Sequence, residues 1–481
     1  MPICTPHYIY QESMEWRQDV EDAIAGEPRI KSKDERYLPW VGKPKSTPNT
    51  EQTKRYESYK RRAEFDNTVE PTRSANAGVI LGKEPSLELP DSLKYLETNI
   101  DGSGNRNIND FAKASINGIS TDNSVILLSD TTKDENGRDI AIVRKYWATD
   151  VINWDWDERG QKFNFVIIKQ VRLNYDNDCY TPTERTDYLE LRLDREGYYF
   201  QQLHSDVGDG GYEPTQEVYM EQYGQRMTHI PVSFSTDETN NEPSSNTSML
   251  YPIARKAIAL YQSNADLKKA MSLFAAPTSI ITGLTQAWIE QLKDKGINPE
   301  DWQVGGDAPW MLGKDMAAQL MQMDGEGSAF FKYRELNLDM QERLGSRAMN
   351  QSSTGTATEA LIRSAAENAS LMNIANNFSE SMTYCLRECA KFMGIDESKI
   401  AEIYYRINTE FVTPTLTAQE AAEVRNQVAD SIITREMGIQ KLIDGGWLKT
   451  DSTAEEIDTL LKNEDPLVGA TASAISNQLD G

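Results

Sequence analysis

Three histidines are the first candidates for chemistry, because imidazole acts both as a general base and as a metal ligand. They are His7, His204 and His229, and they stand far apart in the chain. Metal-binding helices carry their histidines one turn apart, as in the His-Glu-x-x-His motif, and the sequence has no such pair. We therefore expect core or surface histidines, with no metal site and no cofactor.

Asp155 and Asp157 flank Trp156 and form a candidate carboxylate pair. Residues two apart on a strand point to the same side, and two carboxylates on one face suit general acid and base catalysis. The pair runs directly into a turn signal, Glu158-Arg159-Gly160. We favour a solvated strand end over a catalytic pair.

Two glycine-containing segments resemble ligand-binding loops. The segment at 78–83, GVILGK, is one residue short of a P-loop and is followed by Glu84 instead of Ser or Thr. Residues 101–110 resemble a calcium loop, but Arg106 replaces the glycine of the turn and Ala112 replaces the bidentate glutamate. We expect neither nucleotide hydrolysis by a P-loop nor calcium binding, and we interpret the second segment as a turn that caps a helix at 107–118.

The cysteines, Cys4, Cys179, Cys385 and Cys389, are sparse and irregularly spaced. This pattern argues against a disulfide scaffold and fits a reducing cytoplasm. Cys385 and Cys389 share one helix face, where buried small side chains are a better interpretation than a metal or redox role. From all these patterns we expect that the chain is not an enzyme.

The charge of the chain is acidic and uneven. Its 481 residues include 50 Lys and Arg and 75 Asp and Glu, a net charge of −25. Residues 1–75 hold 13 basic and 13 acidic residues, residues 76–395 hold 30 and 46, and residues 396–481 hold 7 and 16. A protein that grips nucleic acid through phosphates shows the opposite balance. We also expect no signal peptide and no membrane span.

The first half of the chain reads as helices followed by strands. Residues 1–52 predict a short helix near Met14–Ala25 and then an extended arm, and residues 53–77 predict a helix. A strand is expected at Val79–Leu81 and another at Val125–Leu128. Residues 138–235 are rich in β-formers separated by turn signals, which indicates antiparallel strands before a polar linker.

In the second half the hydrophobic period becomes helical. Long helices are expected over 249–275, 328–349 and 357–393, with a compact α/β insertion at 276–327 and a polar loop at 350–356. Within the insertion we expect strands at Ser279–Thr282, Trp302–Val304 and Trp310–Leu312 and a helix at Gln286–Lys295. After a strand at 401–411, short helices are expected at 417–430, 434–444 and 453–463. The fold class is therefore α+β.

The helix at 357–393 has a packing stripe, because its apolar residues step by three and four. The stripe consists of Leu371, Ala375, Phe378, Met382, Cys385, Cys389 and Phe392.

Several segments, in this order, resemble portal proteins of tailed double-stranded DNA phages. They are Tyr56–Phe65, Leu96–Asn109, Ile152–Trp154, His229–Val232, Ser263–Leu267, Pro277, Ile281–Gly283, Ser353–Ala357, Ala365–Ala369, Arg406–Phe411, Gly438-Ile439 and Leu442–Gly446. The resemblance rests on their joint order over residues 53–465. One departure is Gly118–Ser124, where some of these proteins have a Gly-Arg-Val-Gly turn.

The resemblance implies a portal-like fold with long stem and wing helices, a β-rich wing, a small α/β clip and a helical crown. The corresponding regions are an N-terminal arm (1–52), the wing (53–248), a stem helix (249–275), the clip (276–327), a stem or tunnel helix (328–349), a tunnel loop (350–356), the long wing helix (357–395), and the crown with the C-terminal tail (396–481).

The resemblance also implies partners and a place. About twelve copies would form a ring at one capsid vertex of the virion, after assembly in the host cytoplasm. The terminase motor would dock for genome packaging, and tail or neck adaptor proteins would make it the head-tail connector used in ejection. The major capsid protein would surround the ring, and double-stranded DNA would pass through without specific binding. No membrane is involved.

Site residues follow from this assignment. The DNA-channel loop would comprise Asn350, Gln351, Ser352, Ser353, Thr354, Gly355 and Thr356. Arg343, Arg347 and Arg363 are candidates for transient phosphate contacts, but we favour their pairing with nearby Glu342, Glu359 or Glu367. In the clip, Trp288, Trp310 and Met311 would contact the motor or the adaptor. Alternatively, they would form the core of the clip.

Two other functions remain open. The first is a ring-forming head-tail adaptor or scaffold without a motor role. The second is an acidic hydrolase that uses Asp155 and Asp157, which would be a monomer or small oligomer with a pocket.

Overall fold

The structure, a computed structural model, describes residues 2–39, 50–134, 136–175, 180–208, 210–238, 246–275, 278–282, 285–294, 317–321, 331–336, 338–339, 357–409, 411, 418–429, 433–444 and 457. The chain forms two compact units, Met1–Ile407 and Asn408–Gly481.

The fold mixes helices and strands. The α-helices are α1 (Tyr8–Ala25), α2 (Glu27–Ser32), α3 (Thr50–Arg62), α4 (Val69–Ile80), α5 (Tyr95–Thr98), α6 (Ile108–Asp122), α7 (Tyr251–Ala275), α8 (Gln286–Asp294), α9 (Ala357–Phe392), α10 (Glu397–Ile400), α11 (Ala418–Ala429) and α12 (Arg435–Asp444).

The strands are β1 (Ser86–Glu88), β2 (Ser124–Lys133), β3 (Asp139–Trp147), β4 (Val151–Asp157), β5 (Lys162–Asn174), β6 (Thr183–Leu193), β7 (Tyr199–Gly208), β8 (Gly211–Pro214), β9 (Val218–Tyr219), β10 (Glu221–Gln222), β11 (Gln225–Arg226), β12 (Val232–Thr236), β13 (Thr278–Thr282), β14 (Ala317–Met321) and β15 (Tyr404–Arg406).

The N-terminal residues are helical and belong to the core. The sequence predicted an extended arm after Ala25, but α2 and a 3-10 turn at Asp34–Arg36 follow instead. Val20 of α1 is fully buried in a cluster with Ile253 and Tyr261 of α7. The prediction failed because the polar residues of this segment satisfy one another: the hydroxyl of Tyr37 donates to Asp22 at 2.8 Å.

The helix predicted over 53–77 is broken into α3 and α4. Asn67 lies in the break, where its side chain accepts a hydrogen bond from the backbone N–H of Glu70 at 3.2 Å and donates to the carbonyl of Ile24 at 3.1 Å. The expected strand at Val79–Leu81 is not formed, because Val79 and Ile80 belong to α4.

Helix α6 begins at a capping residue and ends against a sheet. Asn107 accepts a hydrogen bond from the backbone N–H of Asp110 at 2.7 Å, a typical N-cap. Gly118 must be glycine, because a Cβ there would lie 2.4 Å from the ring of Trp147. The segment 118–124, which departs from the portal pattern, forms the last turn of α6, a left-handed residue at Asn123 (φ 64°) and the start of β2.

Two antiparallel sheets form the middle of the first unit. The smaller has the strand order β12-β2-β3, and the larger has the order β4-β5-β6-β7-β8 with β9 beside β7. Antiparallel pairing in the β-rich region was predicted, and it is confirmed. The two sheets share a cluster in which Phe234, Trp154 and Phe163 are buried.

Helix α9 covers the smaller sheet with the stripe predicted for it. Six of the seven stripe residues are buried, and Phe392 is partly buried. The stripe also contains Ile374 and Leu386. The hydroxyl of Ser129 in β2 donates to the carbonyl of Cys385 at 3.0 Å, which fixes the helix on the sheet.

The second unit contains α11 and α12, close to the helices predicted at 417–430 and 434–444. They pack tightly, because a Cβ on Gly438 would lie 2.3 Å from Val428. The helix predicted at 453–463 lies outside the described residues, apart from residue 457.

Candidate functional site

A helix, a small α/β element and a returning helix follow one another between residues 251 and 336. Strand β13 follows α7 and pairs antiparallel with β14, from Thr278 opposite Met321 to Thr282 opposite Ala317. Helix α8 lies between these strands in sequence. The chain then returns beside α7 as a helical segment at 331–336, where Arg334 Nε donates to Asn264 Oδ1 at 3.1 Å.

Helix α7 leaves the core before it ends. Its first half is buried against α1, α3 and α4, and Leu267 is the last buried residue among the described side chains of α7. Met271, one turn further on, is 50% exposed. Helix α7 is therefore exposed at Met271, shortly before β13.

We call α7 from Asn264 onward, β13, α8, β14 and the segment at 331–336 the stalk. Residues within and just after α3 hold its base. The hydroxyl of Tyr59 donates to Asp266 at 2.6 Å, and Lys268 forms an ion pair with Glu64. The side chain of Asn264 also donates to the carbonyl of Glu64 at 3.2 Å. Burial raises the pKa of Tyr59, and its bond to Asp266 adds to the effect, so the hydroxyl remains a donor.

Most of the predicted site residues lie outside the described residues. This holds for the loop 350–356, for Arg343 and Arg347, and for Trp310 and Met311, as well as for the strands expected at Trp302–Val304 and Trp310–Leu312. Arg363 lies in α9 and Trp288 in α8, but the positions of their side chains are not described. Their proposed roles stay predictions.

The three histidines occupy three separate places, as their spacing predicted. His7 is the N-cap of α1, and its ring stacks on Trp154 with a centroid distance of 4.3 Å. Burial lowers the pKa of His7, against the opposing charge of Asp155. The Nε2 atom of His204 lies 2.9 Å from Glu190 on the neighbouring strand.

His229 belongs to a polar cluster around Glu388, which sequence reasoning missed. Glu388 is 2% exposed and accepts from Gln222 Nε2 at 2.8 Å, from Lys391 Nζ at 2.6 Å and from His229 Nε2 at 3.0 Å. Burial alone would raise the pKa of Glu388, but these partners lower it to about 2. The only signal in the sequence was an acidic residue on the apolar stripe of α9.

Asp155 and Asp157 are not arranged as a catalytic pair. Asp155 is exposed and accepts from Asn164 Nδ2 at 2.8 Å, whereas Asp157 accepts from the backbone N–H of Arg159 in the turn at 3.0 Å. The ladder is irregular between Asp155 and Trp156, which interrupts the alternation that would place both carboxylates on one face. The two carboxylates therefore make separate local contacts at the strand end, where Asp155 is exposed and Asp157 is half-buried.

The calcium-like loop and the cysteines also have structural roles. Asp101 accepts from the backbone N–H of Ser103 at 3.0 Å and lies 3.1 Å from Arg106, so the loop supplies its own cation. Cys385 and Cys389 are fully buried, and burial raises the pKa of Cys385 to about 12. A thiol that is neutral at physiological pH is a poor nucleophile and a poor metal ligand.

Within the described ranges, no group of three or more His, Cys, Asp or Glu side chains is placed to hold a metal ion. No helix among the same residues is both long enough and apolar enough to span a membrane. A cavity of about 280 Å³ lies between α1 and α7, lined by Asp19, Arg36, Arg255 and Gln262 among others. Asp19 and Arg36 already bond each other at 2.8 Å, so these groups serve the fold.

Solved structures of particle necks are similar to this chain. One is a chain in the neck of an empty gene transfer agent (GTA) particle, computed with C6 symmetry, at 12% identity and a TM-score of 0.39, covering 88% of this chain and 95% of that chain. Another is from the virion of a native GTA particle, at 12% identity and TM-score 0.36 with the same coverages of 88% and 95%. A third, from the neck of a native GTA particle with C12 symmetry, has 11% identity, a TM-score of 0.35 and coverages of 87% and 94%.

A family model also matches part of the chain. None of the curated proteins matches this chain. Residues 217–393 match the model of a family described as a domain of unknown function, DUF4055. The matched stretch begins just before β9, contains the Gln222, His229 and Glu388 cluster together with the whole stalk, and ends just after α9.

Proposed function

We propose that this chain is the portal subunit of a tailed double-stranded DNA phage or a related particle. It forms a ring at one capsid vertex, through which the genome is packaged and ejected, and on which the motor and the neck proteins dock. The fold is portal-like, with α7 and the segment at 331–336 in the stem and β13, α8 and β14 in the clip.

The observation that carries the proposal is the path of the chain around the stalk. It runs out along α7, forms an α/β tip in which β13 pairs with β14, and returns beside Asn264 before the long helix α9. This order matches the order of the segments by which the sequence resembles portal proteins. Met271, exposed near the end of α7, fits a stalk that is covered by neighbouring copies.

The charge of the chain supports a channel that does not hold DNA. A ring of about twelve copies would carry roughly −300 charges, because each copy carries −25. Repulsion between acidic walls and phosphates is screened over about 8–10 Å at physiological salt, so DNA slides without being bound. We also propose that the chain has no catalytic centre, in keeping with the separate surroundings of Asp155 and Asp157.

The assembly state tests the proposal directly. Purified protein is measured by mass photometry and imaged by negative-stain electron microscopy across a range of protein and salt concentrations. We expect rings with an open centre and a mass of roughly 650 kDa for about twelve subunits of 54.3 kDa each. Closed discs without a channel would instead favour the adaptor or scaffold. A monomer under all conditions, with hydrolase activity abolished by Asp155→Asn, would overturn the proposal.

A further inference from the structure

Strands β5 and β6 continue beyond the sheet to which they belong. Strand β4 pairs with β5 as far as Ile168, and β7 pairs with β6 from Tyr188 onward. Beyond these points β5 and β6 pair only with each other, from Val171 opposite Thr186 to Asn174 opposite Thr183. We call residues 171–174 and 183–186 the β-arm, which is roughly 13 Å long at 3.3 Å per residue.

One face of the β-arm exposes two apolar side chains of β5, beside Thr186 and Glu184 of β6. Val171 and Leu173 are two residues apart on β5, so they share a face, and they are 54% and 56% exposed. Closer to the sheet, the same face continues with Ile167 and Tyr188, which are buried under the N-terminal segment. The chain therefore covers the inner part of this face and leaves the outer part open.

The other face of the β-arm is basic. Arg172 and Arg185 lie directly opposite each other on the two strands, and like charges in such a pair destabilise a ladder. Arg172 lies 3.3 Å from Asp187, which offsets part of that cost. Arg185 is exposed, and no carboxylate among the described residues pairs with it. On this face Arg172 therefore has an acidic partner, and Arg185 has none among the described residues.

A two-stranded ribbon on its own is marginally stable in water. Two exposed apolar side chains on one side and the guanidinium of Arg185 on the other increase the need for a partner. A partner that suits both faces combines apolar surface with carboxylates. The chain itself has that chemistry, since residues 76–395 hold 46 acidic and 30 basic residues.

We propose that the β-arm docks on an adjacent copy of this chain, with Val171 and Leu173 on apolar surface and Arg185 against carboxylates. The inference rests on the ring proposed above and names one contact between its subunits. The arm extends beyond its own sheet, as an element that reaches a neighbour must.

The first test changes the apolar face. Val171→Glu and Leu173→Glu are combined in one variant, and Val207→Glu with Val218→Glu is the matched control, because those valines are 54% and 57% exposed elsewhere on the same sheet. We expect the arm variant to raise the concentration at half-assembly about tenfold or more, which corresponds to 1.4 kcal/mol or more. The control should assemble as the unchanged protein does, and circular dichroism should be the same for all three. Assembly of the arm variant at the unchanged concentration would overturn the inference.

The second test changes charge without removing apolar surface. Arg185→Glu should weaken assembly, and Arg185→Lys should largely preserve it, because lysine keeps the positive charge. The weakening should be greatest at low ionic strength, where exposed charges are least screened. Equal assembly of Arg185→Glu and the unchanged protein at low salt would contradict the charge pairing.

Photo-crosslinking separates this inference from the proposed function. A benzophenone side chain at Leu173, in purified protein, should crosslink to a second copy. Rings that form normally and give only crosslinks within one chain would overturn the β-arm contact and leave the portal proposal intact. Crosslinks between copies in the absence of rings would support the contact and count against the portal. Protein that gives neither rings nor crosslinks between copies would overturn both.

Discussion

Nε2 of His229 donates a hydrogen bond to the carboxylate of Glu388 over 3.0 Å, although 159 residues separate the two in sequence. The bond joins the segment before β12 to the middle of the last third of α9. Gln222, in the small β10–β11 hairpin, donates to the same oxygen at 2.8 Å. One buried carboxylate therefore fixes a hairpin, a loop and a long helix in a single arrangement.

Removing this carboxylate should change the acid stability of the protein. The pKa of Glu388 is lowered to about 2 from its ordinary 4.5, so the carboxylate contributes stability above pH 4.5 that is lost as the pH falls towards 2. We expect Glu388→Gln to lower the free energy of unfolding near pH 6 by something on the order of 3 kcal/mol. Urea unfolding of both proteins between pH 6 and 3 should show that the difference in their free energies of unfolding becomes smaller as the pH falls. A difference that is constant with pH would mean that the charge of Glu388 is not what matters.

Asp122 should have the opposite pH dependence. Burial raises the pKa of this carboxyl to about 7, although Arg17 opposes the shift. Because the folded-state pKa lies above the ordinary 3.8, the group stabilises the fold most below pH 4, and this contribution is lost as the pH rises through 7. Asp122→Asn stays neutral, so we expect the variant to gain stability relative to the unchanged protein between pH 5 and 8.

Thermal unfolding from pH 5 to 8 measures this effect. Asp110→Asn, at an exposed position in the first turn of the same helix, serves as the control and should show no comparable dependence on pH. If the stabilities of Asp122→Asn and of the unchanged protein change in parallel from pH 5 to 8, the carboxylate is charged throughout this range and Arg17 offsets its burial.

The core under α9 should respond strongly to truncation of one ring. Phe378 is fully buried, and its ring meets that of Tyr405 edge to face at 6.0 Å. We expect Phe378→Ala to cost about 3–5 kcal/mol, through lost burial and the cavity left behind. Met372→Ala, at a site on the same helix that is 38% exposed, should cost less than about 1 kcal/mol in the same urea titration. Similar losses at both positions would show that α9 is not packed as described.

The N-terminal segment should contribute to the stability of the core, and removal of the Tyr37 hydroxyl tests this. Tyr37 donates to Asp22 at 2.8 Å, and both residues are buried. Tyr37→Phe leaves the aspartate short of a donor and should cost about 1–3 kcal/mol. Tyr8→Phe, at a position that is 64% exposed, is the matched control and should be nearly neutral. Calorimetry of the full chain measures both variants. An unchanged free energy of unfolding for Tyr37→Phe would mean that this segment does not contribute to the stability of the core.

The loop at 350–356 should be tested in particles. Replacing Ser352–Gly355 with a rigid, proline-rich segment should reduce the DNA content of particles, because a moving duplex needs an adaptable contact. A replacement of the same length built from Ser and Gly is the control, and ring formation is checked for both. Normal DNA filling with the rigid segment would remove the loop from the proposed mechanism.

Periodic elements could be predicted from the sequence, because their own residues encode the pattern. The stripe on α9 and the turn signals between β5, β6 and β7 needed no knowledge of their partners. The stripe omitted Ile374 and Leu386, since a helix buried this deeply covers more than the narrow seam that was counted.

Polar residues with distant partners could not be predicted. Arg17 is 3% exposed, and it donates to the carbonyl of Asp122 at the end of α6, far away in sequence. Such residues led to the prediction of an extended arm after Ala25, although α1 and α2 contribute Val20 and Ile30 to a buried cluster with α7. The Glu388 cluster was missed for the same reason, because neither His229 nor Gln222 carries a local signal of its partner.

The order of strands β12-β2-β3 has a consequence for synthesis on the ribosome. Strand β2 gains β3 as a neighbour at once, but its other edge waits until β12 emerges, after the entire larger sheet has been made. The face of β2 that packs against α9 is covered even later, because α9 is made after β12. The central strand of this sheet is therefore among the last to be enclosed, so a nascent chain that stalls before residue 232 presents an open apolar edge to chaperones and to other nascent chains.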